Sequence, residues 1–126
     1  NYFSSFLPGS MGWIVWDKGQ RINQSDGELA FSSFASALRI IEMNRVELLL
    51  EGTIHPTQKP IKLYKRLLND YAKEGDKILD THLGSGSSRI AADQMGFDFW
   101  GYELDKDYFE ASVKRFNQYK AQTVLF

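Results

Sequence analysis

Two glycines and a distant carboxylate are the residues of this sequence best suited to chemistry. The stretch Asp80-Thr81-His82-Leu83-Gly84-Ser85-Gly86-Ser87-Ser88 reads as a tight turn after a strand. There, backbone N–H groups and the following helix terminus can approach a polar cofactor. Glu103 follows Gly84 at the spacing of about 20 residues that brings an acidic strand end to a ribose, whose two hydroxyls it can bind. Together they point to a nucleoside-containing cofactor lying across the strand tips, with Asp80 near its polar end and Glu103 at its ribose. Taken singly, the glycines merely close a loop and Glu103 is a solvated strand end. Joint placement favours a site. Ser88 and Arg89 stand where the dinucleotide fingerprint has a third glycine, which disfavours a nicotinamide cofactor, and no P-loop sequence occurs, which disfavours a nucleoside triphosphatase.

The elements that must position these residues follow from patterning. Lys77 to Asp80 reads as a short strand, Ser87 to Met95 as a helix stopped by Gly96, and Phe97 to Glu103 as the next strand. Asp105 can cap a last helix whose Phe109, Val113 and Phe116 share a face. Upstream, Pro60 suits a first helical position, and Ile61, Tyr64, Leu67, Leu68 and Tyr71 recur at helical spacing, giving an amphipathic helix that ends near Gly75. Gly12 to Trp16 reads as a buried strand between turns, Glu28 to Phe34 as a strand, Ala35 to Ile41 as a brief helix and Arg45 to Leu50 as a further strand. Glu51 to Gln58 is linker-like. Strands alternating with helices argue a parallel, doubly wound sheet of the α/β class.

Composition bounds the rest. The 126 residues carry 15 Lys+Arg against 16 Asp+Glu and are 43% hydrophobic, enough for one core and too apolar for a disordered chain. No apolar run approaches the roughly 18 residues that suggest a membrane helix. The absence of cysteine excludes disulfides and thiolate metal sites, and two histidines alone make no zinc site; a cytoplasmic home is the default. A net charge of −1 leaves nucleic-acid binding to a local basic face. Lys59, Lys62, Lys65 and Arg66 could form one, although a solvated helix face is the commoner role of such residues. By the same reasoning Trp13 and Trp16 read as core and rim, His55 as a loop histidine satisfied by backbone, and Ser25, Asp26 and Glu28 as a polar entry to a strand. The chain opens at Asn1 without Met or a signal sequence, so it reads as part of a longer protein.

Three ordered motifs carry a resemblance. His55-Pro56-Thr57-Gln58-Lys59-Pro60, then Asp80 to Ser88, then Gly101-Tyr102-Glu103-Leu104-Asp105 resemble the amino-group DNA methyltransferases of bacteria and phages that use S-adenosylmethionine. Their order is similar to the family's β arrangement, in which the catalytic half comes first. Asn1-Tyr2-Phe3, Gly12 to Lys18 and Ser25 to Phe31 look like stretches that follow the catalytic motif in phage-type members. The resemblance implies an α/β, Rossmann-like, S-adenosylmethionine-dependent methyltransferase fold, incomplete at its amino-terminal, catalytic-motif side. It also implies one partial domain, with strands over 1–54 and the cofactor-binding part over 55–126.

What the resemblance implies for the site is specific. Asp80, Thr81, His82, Leu83, Gly84, Ser85, Gly86, Ser87 and Ser88 would contact the cofactor's methionine and backbone-facing side, Glu103 with Leu104 its ribose, and Thr57 with Lys59 its carboxylate, for which an ammonium is a suitable partner. His82 stands where the family usually has an aromatic ring, and can still stack; Thr81 stands where Pro is common. The family's Asp/Asn/Ser-Pro-Pro-aromatic tetrapeptide, which binds the exocyclic amine of a flipped base, is missing: Pro8, Pro56 and Pro60 are isolated. It is expected before Asn1, so no catalytic residue is assigned and the fragment alone is expected to be inactive. The implied activity is methyl transfer to the amino group of adenine in duplex DNA. The cytosine amine and a non-catalytic cofactor-binding or interaction module are the alternatives. Open strand edges would favour a homodimer.

Overall fold

The computed structural model describes residues 5–20 and 22–124, so the Asn1-Tyr2-Phe3 stretch lies outside the described residues. The chain divides between Arg45 and Val46 into two compact units.

In the first unit, β1 (Ile14–Asp17) alternates buried and half-buried residues and is the middle strand of three. It pairs antiparallel with β2 (Gly27–Ala30) and parallel with β3 (Arg39–Glu42). Trp16 is buried opposite Glu28 and Ile41, and its indole N–H donates to the Met43 carbonyl at 2.8 Å. Lys18 closes the same end: its ammonium pairs with Glu28 at 2.9 Å and lies 5.2 Å from the Trp16 ring centroid. Trp13 meets Phe31 edge-on at 5.6 Å.

Two expectations fail in this unit. The strand read over Glu28 to Phe34 ends at Ala30, where Ser32 turns the chain by accepting the Phe34 N–H on its hydroxyl. The brief helix read over Ala35 to Ile41 is replaced by β3. Its ladder runs from Arg39 N–H on the Trp13 carbonyl to Met43 N–H on the Asp17 carbonyl. A free edge of β1 supplies more hydrogen bonds than an isolated helical turn could close, so pairing overrides a weak helical period.

The second unit is built on a βαβ crossover. The run read as a strand over Arg45 to Leu50 is instead α1 (Val46–Glu51), whose Leu and Glu content suits a helix and which buries Leu48 while leaving Leu49 and Leu50 exposed. Pro60 sits at the N-cap of α2 (Ile61–Tyr71), where its missing N–H costs nothing, and the Glu51 carboxylate accepts the Ile61 N–H at 2.8 Å. The helix stops at Tyr71 rather than near Gly75, because Ala72 caps it and a Lys73–Asp76 turn leads into β4 (Lys77–Asp80). α3 (Ser87–Gln94) then crosses over to β5 (Asp98–Gly101), which pairs parallel with β4 in register Asp80 to Gly101. β5 is shorter at both ends than the strand expected over Phe97 to Glu103. Asp105 caps α4 (Lys106–Val124) by accepting the Tyr108 N–H at 3.0 Å.

Ile90, Ala91 and Ala92 bury one face of α3, which packs on α2, β5 and α4. Arg89 lies 3.8 Å from the Phe116 ring centroid, and Asp93 binds both the Tyr119 hydroxyl and the Lys120 ammonium, fastening α4 to α3. The described strands thus form two sheets, of three and two strands, mixed rather than wholly parallel. β2 makes the difference, since a short loop from β1 can return only antiparallel.

Candidate cofactor-binding site

β4 ends at Asp80, and that carboxylate organises the turn after it. One oxygen accepts the His82 N–H at 2.9 Å and the other the Ser88 hydroxyl at 2.5 Å, so both sides of the turn are tied to the strand tip. The Leu83 N–H reaches the Tyr102 carbonyl and the Gly86 N–H the Leu83 carbonyl, each at 2.9 Å. Gly84 and Gly86 take φ of +52° and +75°, which L side chains rarely adopt.

Glu103 closes the turn from beyond β5. Its carboxylate accepts the Gly84 N–H at 2.8 Å and the Asp105 N–H at 3.0 Å. These bonds, the Asp105 one foremost, hold the carboxyl below its ordinary value.

The loop from Gly52 to Lys59 is folded around Gln58, which is buried. Its amide donates to the Gly52 carbonyl at 2.8 Å and accepts the Ile54 N–H at 3.0 Å. His55 then turns its Nδ1 to the Thr57 N–H and hydroxyl, at 3.2 and 3.1 Å. Its ring packs edge-on against Tyr108 at 4.3 Å and lies over Gly84, where an added Cβ would sit 3.7 Å away. A cleft of about 330 Å³ results. His55, Thr57, Gln58, Lys59 and Tyr64 line it together with His82 to Ser85 and Glu103. It combines an ammonium, a hydroxyl, imidazole rings and a carboxylate, so it can hold a ligand with both an anionic and a hydroxyl-bearing end.

Of the residues expected at the site, the structure brings Thr57, Lys59, His82, Leu83, Gly84, Ser85 and Glu103 onto this cleft. Asp80, Thr81, Gly86, Ser87, Ser88 and Leu104 are not among its lining residues. Asp80 and Ser88 brace the turn, Thr81 bonds the His82 ring at 2.9 Å, Ser87 is buried beneath, and Leu104 projects into solvent. His55, Gln58 and Tyr64 line the cleft without having been singled out for it. Gln58 stood within the quoted motif, whereas Tyr64 read as part of a helix core face.

A further element lies behind the turn. The Arg115 side chain of α4 is 12% exposed and donates from Nη1 to the Ser85 carbonyl at 3.0 Å, the Ser85 hydroxyl at 3.3 Å and the Ser87 hydroxyl at 2.9 Å. Its Nη2 pairs with Glu51 at 3.2 Å. Burial pushes the Glu51 carboxyl above its ordinary value, against the pull of the Ile61 N–H and the Arg115 charge, and draws the guanidinium below its own. No sequence signal links two residues 64 positions apart.

The glycine turn between parallel strands and the crossover helix define an α/β protein of the Rossmann-like class, present here in part. A family model described as DNA methylase, of the N6/N4 type, matches residues 15–114, and the chain belongs to this amino-group DNA methyltransferase family. It is 43% identical over 61 residues to the type II methyltransferase M2.DpnII of Streptococcus pneumoniae, a match covering 48% of this chain and 23% of that protein. To the type II methyltransferase M2.LlaDCHI of Lactococcus lactis subsp. cremoris it is 39% identical over 64 residues, covering 51% and 24%. The matched stretch thus spans about a quarter of the length of these curated relatives. Among solved structures it is similar to the crystal structure of the M1.HpyAVI–SAM complex, with a TM-score of 0.62 and 26% identity over 82% of this chain and 60% of that one. Among the described residues, no helix is long and apolar enough to cross a membrane.

Proposed function

We propose that the chain binds S-adenosylmethionine in the 330 Å³ cleft and serves methyl transfer to the exocyclic amino group of adenine in duplex DNA. The observation that carries this reading is the Glu103–Gly84 hydrogen bond, which joins a carboxylate to the glycine turn at the rim of a cleft that also holds Lys59 and Thr57. The donor set fits the cofactor. Glu103 has carboxylate lone pairs for ribose hydroxyls beyond the backbone bonds it already accepts, and Lys59 and Thr57 offer a cation and a hydroxyl to a carboxylate. Asp80 and Ser88 act as supports of the turn. The volume lies at the small end of the roughly 300–1,000 Å³ typical of ligand sites.

When bound, S-adenosylmethionine supplies an electrophilic sulfonium methyl group. The chain's own part is to fix the ligand and hold its reactive face in one orientation, which is the larger share of what an in-line transfer needs. Residues 55–126 form the cofactor-binding part, and residues 1–54 precede it in the sequence. Aromatic support for the acceptor base belongs to the Pro-Pro-aromatic tetrapeptide, which the 126 residues do not contain.

Two measurements test the reading. Calorimetry with S-adenosylhomocysteine should give saturable heat, and NAD none; the reverse result overturns the cofactor assignment. The intact protein, incubated with methyl-labelled S-adenosylmethionine and duplex DNA and then digested to nucleosides, should yield labelled N6-methyladenine. Label in N4-methylcytosine would transfer the reading to cytosine, and no label in DNA would leave only a binding module.

A further inference from the structure

We infer that Arg115 is a positioning residue for the glycine turn, with Glu51 as the anchor that aims it; this rests on the cofactor reading of the cleft. The turn needs an external clamp. Gly84 and Gly86, which flank Ser85, both have positive φ, and while Glu103 and the Leu83 carbonyl hold their N–H groups, the Ser85–Gly86 peptide between them still presents a carbonyl that those bonds do not hold. Ser85 is nevertheless one of the residues on the cleft.

One guanidinium nitrogen holds that carbonyl. By donating to the Ser85 carbonyl, Arg115 fixes the planar Ser85–Gly86 peptide, and by donating to the Ser87 hydroxyl it fixes the start of α3. The other nitrogen is held by Glu51, whose second oxygen caps α2 at Ile61. Three segments far apart in sequence therefore meet on one planar fork, a geometry that an ammonium cannot reproduce from a single point. Arg115 itself is not among the residues lining the cleft, so its effect on ligand must pass through Ser85.

The test uses the intact protein with S-adenosylhomocysteine as the calorimetric probe, and far-UV circular dichroism and thermal melts to verify folding. Arg115→Met should weaken binding at least about tenfold, the scale of a charged donor withdrawn from buried acceptors. Arg115→Lys, which restores charge without the fork, should fall between it and wild type. Glu51→Gln should weaken binding less than Arg115→Met. Trp16→Phe serves as the control: it removes the indole bond to the Met43 carbonyl in the first unit, lowers the melting temperature and should leave affinity unchanged. Wild-type affinity in folded Arg115→Met and Arg115→Lys overturns the inference. If Arg115→Met does not fold, Arg115→Lys and Glu51→Gln decide it, weaker binding supporting it and unchanged binding overturning it. An unmutated protein that fails to bind the probe overturns the cofactor reading instead, and the inference with it.

Discussion

Glu103 accepts the backbone N–H of Gly84 at 2.8 Å across 19 residues of chain, joining the far side of β5 to the middle of the turn that follows β4. The carboxylate belongs at once to the turn's structure and to the cleft's surface. Glu103→Ala should therefore weaken S-adenosylhomocysteine binding by about 1 to 3 kcal/mol, the cost of leaving polar partners unpaired. Isothermal titration calorimetry checks it, and an unchanged dissociation constant would remove Glu103 from the site.

Acid should act through the same group. Because the folded carboxyl lies below its ordinary value of 4.5, the unfolded chain takes up the proton first as pH falls. The contribution of Glu103 is thus complete above 4.5 and is lost as pH drops through the lowered folded value. Denaturant titrations from about pH 6 to about pH 3 should show wild type losing more stability than Glu103→Gln. Parallel curves for the two proteins would contradict it.

Gly86→Ala should destabilise the second unit by about 1 to 2 kcal/mol, the cost of a left-handed conformation for an L residue. The new methyl would also press on the buried Ser112 Cβ at 3.3 Å. Urea unfolding measures the loss, and a variant as stable as wild type would mean that the turn can be rewound.

In the first unit, Trp16→Phe keeps an aromatic ring in the core but leaves the Met43 carbonyl without its indole donor. A loss of about 1 to 3 kcal/mol is expected, read by denaturation followed by circular dichroism.

How legible the molecule was in its sequence depended on whether local chemistry decided the structure. Lys77 to Asp80, the helix from Ser87 and the Asp105 cap could be read because strand composition, glycine and capping oxygen act within a few residues of one another. The spacing of Gly84 and Glu103 at neighbouring strand ends was legible because strand and crossover lengths fix it, whereas the hydrogen bond between them was not. Ala35 to Ile41 and Arg45 to Leu50 were misread in opposite senses, as helix and as strand. Both are short apolar runs in which periodicity carries little information, and the edge of β1 settled the first while helix-favouring Leu and Glu settled the second. Arg115, Glu51 and Tyr64 gave no local sign of their roles, since what they do is set by packing between remote segments.

Asp80 commits each carboxylate oxygen to its own turn, one to His82 and one to Ser88, so the loop is wound before any ligand arrives. An arriving molecule meets a finished surface and bears little of the ordering entropy that a slack loop would impose. Capture should accordingly follow simple one-step kinetics, with encounter rather than loop closure setting its pace.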